Sequence, residues 1–216
     1  MIRIVIADDH MIVREGLKQL LANELDLVVV GEARDGHEVQ RLARELEFDV
    51  LLLDMSMPGK SGMELIKQVK SEKPRSRLLV LSMHQENQYA VRAIKAGASG
   101  YLTKDSAFGQ LVSAIRKVAA GGAFISADVA EQLALSAAPN AEGLPHTTLS
   151  NREFQVFQLL VSGVAVSEIA DRLNLSVKTV STHKARLMEK MGLDNQAELI
   201  RYALRHHLVE DSAGPG

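Results

Sequence analysis

The sequence predicts two folded units of different class. The first is an α/β doubly wound unit, a parallel sheet of five strands covered on both faces. The second is a smaller all-α unit of four helices. Three observations predict this. Short β-branched or leucine-rich runs alternate with helical patterns through residue 120. The alternation stops after Gly121-Gly122. From Ser150 onward only helical periodicity is left.

The strands are expected at Ile2–Ala7, Leu27–Ala33, Val50–Asp54, Leu78–Ser82 and Gly100–Leu102. Ile4-Val5-Ile6 and Leu51-Leu52-Leu53 are continuously apolar, as strands buried on both faces are. Helices are expected at about 11–23, 37–46, 62–72, 85–96 and 107–119. In the first of them Ile12, Leu17, Leu20 and Leu21 recur near a 3.6-residue period. Residues 136–148 are rich in proline, glycine and small polar residues, a linker composition, with a short helix expected before them at about 127–135. Ser150 and Glu153 form a capping box that opens a helix through Leu160. Further helices follow at about 167–173, 176–190 and 196–207, with Asn174-Leu175-Ser176 as the turn between the first two. Asp211 to Gly216 reads as a frayed tail. The expected domains are therefore 1–120, a linker over 121–145, a helical domain over 146–210 and a tail over 211–216.

Composition narrows the function. The chain has 216 residues, 46% hydrophobic and 24% charged, which excludes wholesale disorder and fibrous repeats. Its apolar runs are far shorter than the ~20 residues of a membrane span. The N-terminal run meets Asp8-Asp9 too soon for a signal peptide. With no cysteine there is neither a disulfide framework nor a thiolate metal site. The expected location is the cytoplasm, with no membrane partner. The net charge of −2 hides an asymmetry. Arg172, Lys178, Lys184, Arg186 and Lys190 face a single anion, Glu189, within one short stretch. That is the electrostatic footprint of a nucleic-acid contact, although a solvated basic helix face has the same composition.

In a doubly wound sheet, ligands bind beyond the carboxyl ends of the strands. Here those ends carry Asp8, Asp9, Asp54, Ser82 and Lys104. Adjacent carboxylates repel one another and resist ionising together unless a cation intervenes. Mg²⁺ fits, because it prefers oxygen ligands and keeps several waters; Mn²⁺ is the alternative. Asp54 is the natural phosphoryl acceptor, since a carboxylate can attack phosphorus and form an acyl phosphate. Lys104 would bind the phosphoryl oxygens from the other side. Taken singly, each residue also has a plain structural role: Asp8 or Asp9 as a helix cap, Lys104 as a loop lysine, Ser82 as a turn residue.

Ile6-Ala7-Asp8-Asp9-His10, Leu53-Asp54-Met55-Ser56-Met57-Pro58-Gly59, Leu81-Ser82 and Gly100-Tyr101-Leu102-Thr103-Lys104 resemble the receiver domain of bacterial two-component response regulators. The resemblance covers about residues 1–120. It implies a flavodoxin-like fold of strand order 2-1-3-4-5 and phosphorylation of Asp54 by a sensor histidine kinase. It implies that Asp9, Asp54 and the Ser56 carbonyl hold Mg²⁺, with Asp8 assisting through water. It gives Ser82 the phosphoryl-binding hydroxyl role and Tyr101 that of the switch aromatic. Asp105 stands where many receivers have proline, and Ser56 and His84 stand where receivers tune hydrolysis of the acyl phosphate.

The helices at 167–173 and 176–190 have helix-turn-helix spacing, which places the second in the DNA major groove. A helical wheel puts Val177, Val180, Leu187, Met188 and Met191 toward the core. Lys178, Thr182, Ala185 and Arg186 point away, with Thr179 and Ser181 on the flanks. Lys178, Ser181 and Thr182 are candidates for base edges, Ala185 for a thymine methyl, and Arg186 for a phosphate. Lys184 falls on the inner side and would reach a phosphate only by snorkelling. Leu149-Ser150-Asn151-Arg152-Glu153, Glu168-Ile169-Ala170, Leu175 through His183 and Lys190-Met191-Gly192-Leu193 resemble the LuxR-type DNA-binding domain. Together the halves resemble NarL/FixJ-like response regulators. Val164-Ala165-Val166 departs from the usual helix start there. In the last helix Ala197, Ile200, Ala203 and Leu204 read as the core stripe, leaving Leu199 and Tyr202 outside it. In this family the last helix commonly pairs two protomers, so Leu199 and Tyr202 are the expected dimer contacts, the alternative being that they pack within the domain.

The resulting expectation is a phosphorylation-controlled, DNA-binding transcription regulator and not an enzyme beyond its own phosphoryl transfer and dephosphorylation. Its expected partners are a cognate histidine kinase, double-stranded promoter DNA, a second copy when phosphorylated, and RNA polymerase. One alternative is a phosphohydrolase with an aspartyl-phosphate intermediate. Such enzymes carry an acid two residues after the nucleophile, where this chain has Ser56, and it has no cap insertion. Another is a phosphorylation-independent regulator whose first domain is a dimerisation scaffold.

Overall fold

The computed structural model describes residues 1–57, 62–82, 87–136, 144–206 and 208. Expectations for His84, for linker residues 137–143 and for the tail at 211–216 lie outside the described residues, as does the side chain of Asp105. The chain forms two compact units, Met1–Leu135 and Ser136–Gly216.

The first unit alternates strand and helix: β1 (Ile2–Ala7), α1 (Met11–Ala22), β2 (Leu27–Ala33), α2 (Gly36–Glu45), β3 (Val50–Asp54), α3 (Gly62–Glu72), β4 (Arg77–Ser82), α4 (Asn87–Ala96), β5 (Gly100–Thr103), α5 (Lys104–Ala119) and α6 (Ala127–Ser136). The sheet is parallel with order β2-β1-β3-β4-β5, the order the receiver resemblance implies. Successive residues of β3 point to opposite faces. Leu51 and Leu53 join Val39, Leu42, Leu65, Ile66, Val69 and Ala93 on the face that α2, α3 and α4 cover. Val50 and Leu52 join Leu17, Leu21, Leu111, Ala114, Ile115 and Val118 on the face that α1 and α5 cover. Ile12, placed by its period on the inner face of α1, is exposed; it lies on the first turn, and the buried residues of the helix are Leu17 and Leu21.

Residues 121–135, placed in the linker segment with a short helix expected at about 127–135, pack on this unit, and α6 forms where that helix was expected. Phe124 forms a parallel bridge with Gly100 on the outer edge of β5. Val129 of α6 is buried in the same core cluster as Tyr101, with Ile125 and Leu133 packed against it.

The second unit holds a 3-10 turn (Pro145–Thr148) and α7 (Asn151–Val161), α8 (Val166–Arg172), α9 (Val177–Met191) and α10 (Gln196–Arg205). The Ser150–Glu153 capping box is formed in both directions. Ser176 caps α9 by accepting from the Thr179 N–H at 3.1 Å. Ala165, at the start of α8, offers no side-chain cap. Asn174 takes the left-handed conformation (φ 52°) that the short turn between α8 and α9 requires, and Gly192 ends α9 the same way.

Two wheel assignments are corrected. Val177 is 52% exposed, so it is not a core residue; as the first residue of α9 it precedes the turn that packs, where Val180 begins the buried stripe with Leu187 and Met191. In α10 the buried residues are Leu199 and Ala203, whereas Ala197 and Leu204 are exposed. The inward arc is about a quarter turn from the expected one. Leu199 is fully buried within its own unit, which corrects its place outside the core stripe. The phase is set by packing on α7, which favours the bulkier Leu199 over Ala197, and by the Tyr202 hydroxyl, 2.8 Å from Nδ1 of buried His146.

Candidate functional site

Strand register assembles the first site. Ala7 pairs with Leu53, Asp54 with Leu81, and Ser82 with Thr103. The residues that end or follow these strands, Asp8, Asp54, Ser82 and Lys104, are thus brought to one row at the carboxyl edge. Asp8, Asp54 and Ser82 are buried there. Lys104 is the first residue of α5, and its Nζ lies 2.7 Å from Asp8 Oδ2 and 3.0 Å from Asp54 Oδ2. One ammonium therefore balances carboxylates from two strands.

The backbone fixes the carboxylates further. The Ser56 N–H donates to Asp54 Oδ1 at 3.1 Å, and the His10 N–H donates to Asp8 Oδ1 at 2.8 Å. Arg14 donates to the Asp8 carbonyl at 2.7 Å, tying the turn after β1 to α1. Burial pushes the Asp54 carboxyl above the usual carboxylate range, against the opposing pull of the Lys104 ammonium and the Ser56 N–H. Burial also works against the Lys104 ammonium, but its hydrogen bonds to Asp8 and Asp54 outweigh that and hold its pKa above the ordinary value. The ammonium is accordingly charged at neutral pH.

Asp9 sits beside this row, partly exposed. One donor atom from each of Asp8, Asp9, His10 and Asp54 lies within 4.8 Å of the others. Three carboxylates around one opening form a hard, anionic donor set, and a divalent cation fits it. Tyr101 is buried in the core cluster of α2, α3 and α4, with Tyr89 packed against that cluster. The expected pocket residues Asp8, Asp9, Asp54 and Lys104 are thus brought together, with Ser56 bound to Asp54 and Ser82 at the adjoining strand end. Sequence reasoning passed over the His10 ring, whose Nδ1 is 2.9 Å from Asp9 Oδ1. Its adjacency to the strand-end Asp8-Asp9 pair was the available signal.

The second site is the outer face of α9. Lys178, Ser181, Thr182, Ala185 and Arg186 are exposed there, and Thr179 is half-buried. The Ser181 hydroxyl donates to the Val177 carbonyl and the Thr182 hydroxyl to the Lys178 carbonyl, each at 2.9 Å. Their lone pairs remain available outward as acceptors. Lys184 is half-buried, and its Nζ donates to Gln196 Oε1 at 3.2 Å. Gln196 in turn donates to the Leu160 carbonyl at 3.2 Å, so Lys184 ties α9 to α10 and α7. Tyr202 is half-buried, with its hydroxyl engaged by His146. Among the described residues no helix is long and apolar enough to cross a membrane.

Comparison with known proteins gives a family for each unit. Residues 4–116 match the response regulator receiver domain, and residues 147–203 match the bacterial regulatory proteins of the luxR family. The chain is 40% identical over 214 residues to the response regulator GacA of Pseudomonas viridiflava, covering 99% of this chain and 100% of that protein. It is 38% identical over 209 residues to the response regulator UvrY of Escherichia coli (strain K12), covering 96% of each. Among solved structures it is similar to RcsB from Salmonella enterica serovar Typhimurium bound to promoter rprA in the presence of phosphomimetic BeF3-. The TM-score is 0.62 and the identity 29%, covering 93% of this chain and 97% of that one. The receiver implies a histidine kinase as partner, and the helix-turn-helix implies DNA. The chain belongs to the response-regulator family: it is a two-component, DNA-binding transcription regulator of NarL/FixJ type, a receiver joined to a LuxR-type helix-turn-helix.

Proposed function

We propose that Asp54 is the phosphoryl acceptor and that its modification controls promoter binding by α9. The observation that carries this is the double ion pair of Lys104 with Asp8 and Asp54 at the row of strand ends. In this reading the receiver spans 1–120, the linker 121–145, the DNA-binding domain 146–210 and the tail 211–216. The phosphodonor is a histidine kinase. An Asp54 carboxylate oxygen attacks phosphorus, the P–N bond of the donor breaks, and the departing imidazole takes the electron pair. Asp9, Asp54 and the Ser56 carbonyl would hold Mg²⁺ (or Mn²⁺), with Asp8 acting through water, and the ion would supply charge neutralisation for the phosphoryl oxygens. Lys104, already held at the pocket, binds a phosphoryl oxygen in place of the carboxylate oxygen it loses. Ser82 donates its hydroxyl to another. Tyr101 transmits the change along β5.

In this reading the chain catalyses its own phosphoryl transfer and its dephosphorylation, in which water takes the phosphoryl group from Asp54 and inorganic phosphate leaves. On DNA, Lys178, Ser181 and Thr182 meet base edges and Ala185 a thymine methyl, with Thr179 on the flank of the same face, and Arg186 meets phosphate. Lys184 reaches phosphate only by leaving Gln196. Two copies bind one operator when phosphorylated, joined through the outward arc of α10 at Ala197, Arg201 and Leu204, with the half-buried Tyr202 at its margin. RNA polymerase is the downstream partner, and the bacterial cytoplasm the compartment. The test is intact mass after treatment with Mg²⁺ and acetyl phosphate, beside an Asp54→Asn control, followed by sizing and retention of genomic DNA fragments. A gain of one phosphoryl group in the wild type alone, with altered association or retention, is expected. No modification with DNA binding intact overturns the reading.

A further inference from the structure

We infer that His10 is a ligand-bearing member of the acidic pocket and gives it a second ion class, divalent transition ions that accept imidazole. The inference rests on the reading of Asp8, Asp9 and Asp54 as a cation site. It adds a nitrogen donor to an oxygen set.

Three observations support it. The first is spacing. His10 Nδ1 lies 2.9 Å from Asp9 Oδ1 and 3.2 Å from Asp8 Oδ1. Two donors about 2.1 Å from one ion are about 3.0 Å apart at a right angle and about 3.4 Å apart at the tetrahedral angle. The same separations that hold a proton between imidazole and carboxylate also suit one ion held by both.

The second is placement. His10 precedes α1 in extended backbone (φ −87°, ψ 110°) and spends no side-chain atom on capping the helix. Its own N–H donates to Asp8 Oδ1, and Arg14 holds the Asp8 carbonyl. The ring is therefore carried to the pocket mouth by a turn that is hydrogen-bonded on both sides of it. The side chain is 63% exposed, so the ring lies at the surface beside the carboxylates and not in the core.

The third is donor chemistry. Mg²⁺ keeps to oxygen ligands and water, whereas Co²⁺, Ni²⁺ and Zn²⁺ take imidazole readily. A carboxylate set with one imidazole discriminates between these classes, where carboxylates alone follow charge and size. His10 is thus the residue that sets how strongly transition ions compete with Mg²⁺ for this pocket.

The test uses the full-length protein stripped of metal with a chelator and held at one pH. Mg²⁺, Co²⁺ and Zn²⁺ affinities are measured by calorimetry for the wild type, His10→Ala and Asp9→Asn. The Co²⁺ visible spectrum reports whether nitrogen enters the coordination shell. Because His10 is exposed, alanine there removes little packing. The expected result is a fall of about tenfold or more in the ratio of Co²⁺ to Mg²⁺ affinity in His10→Ala, with a shifted Co²⁺ spectrum. Asp9→Asn is expected to lose both ion classes, which excludes binding at histidines elsewhere. An unchanged ratio and spectrum in His10→Ala overturn the assignment, leaving His10 a hydrogen-bond partner only. Equal losses of Co²⁺ and Mg²⁺ overturn it too, making His10 a positioner of Asp9. His10-dependent Co²⁺ binding in a protein that takes no phosphoryl group would sustain the ligand and defeat the phosphoacceptor reading.

Discussion

The Tyr101 N–H donates to the Phe124 carbonyl at 2.9 Å, and the Phe124 N–H donates to the Ser99 carbonyl at 3.1 Å. The chain that leaves α5 therefore returns to cover the open edge of β5, beside the expected switch aromatic. An uncovered edge strand is a template for misassociation, and this short bridge occupies part of it.

Gly100 makes that closure possible. A Cβ there would lie 2.8 Å from Leu79 Cδ1 and 2.9 Å from the Phe124 carbonyl oxygen. Gly100→Ala is expected to lower stability by about 1–3 kcal/mol, as overpacking does, and to raise amide exchange at Phe124. Urea unfolding and hydrogen exchange check this. A variant with wild-type midpoint and protection would show that the bridge gives way without cost.

Burial raises the Asp54 pKa in the fold. Its stabilising contribution is therefore complete below the unfolded value of 3.8 and lost as pH rises through the folded value. In chelator at pH 7, Asp54→Asn is expected to unfold at higher urea than the wild type. Mg²⁺ at a hundred times its dissociation constant should add about 2.7 kcal/mol to the wild type and much less to the variant. A variant less stable than the wild type in chelator would contradict the burial argument.

Burial holds the His183 pKa below its ordinary value of 6.5; Glu153 opposes this, and Arg186 and Arg152 add to it. Charging His183 then favours the unfolded state. Stability of the second unit is present above about pH 6.5 and falls as pH drops through that value toward the folded one. Amide protection within Val177–Met191 should decline over this window in the wild type and less steeply in His183→Gln. Parallel declines in the two proteins would assign the effect elsewhere.

On DNA, Arg186→Ala is expected to weaken binding evenly across sequences and to reduce the salt slope by about 0.9. Thr182→Ala should instead cost about 1–3 kcal/mol on the preferred operator and relax its specificity. Electrophoretic mobility at several salt concentrations separates the two. A sequence-selective loss in Arg186→Ala would move that residue from backbone to base.

The two faces of α10 make opposite predictions. Leu199→Ala empties a fully buried position and should cost about 2–5 kcal/mol. Leu204→Asp changes an exposed residue and should leave stability within about 0.5 kcal/mol while weakening DNA-bound pairing. A stable, dimeric Leu204→Asp would place the dimer contact elsewhere.

These cases mark where sequence was informative. Strands β1, β2 and β3 were legible to the residue: β1 and β3 as apolar runs buried by the sheet, and the edge strand β2, mostly half-buried, as a β-branched run. Asp8, Asp9, Asp54 and Lys104 were legible because each ends or follows a strand and parallel strands end together. The phase of α10 was not, since a short helix with several small and middling apolar residues fits more than one inward arc. Val177 was misplaced because a helical wheel carries no information on which turn meets the core. The 3-10 turn at Pro145–Thr148 and the Phe124 bridge left no periodic signal at all. Both depend on backbone hydrogen bonds, which are made by nearly every residue type and so leave little mark on the sequence.

The Lys104–Asp8 pair spans 96 positions of chain. During synthesis both buried carboxylates emerge long before the cation that balances them. Until β5 docks and starts α5 at Lys104, Asp8 and Asp54 are anions without a counter-charge, which a folded core does not tolerate. The pocket is therefore among the last features of its unit to assemble, behind slow, long-range parallel pairing. A chain able to take up a phosphoryl group is by that fact one whose sheet is complete to its final strand. Competence to receive the signal and completion of folding become the same event.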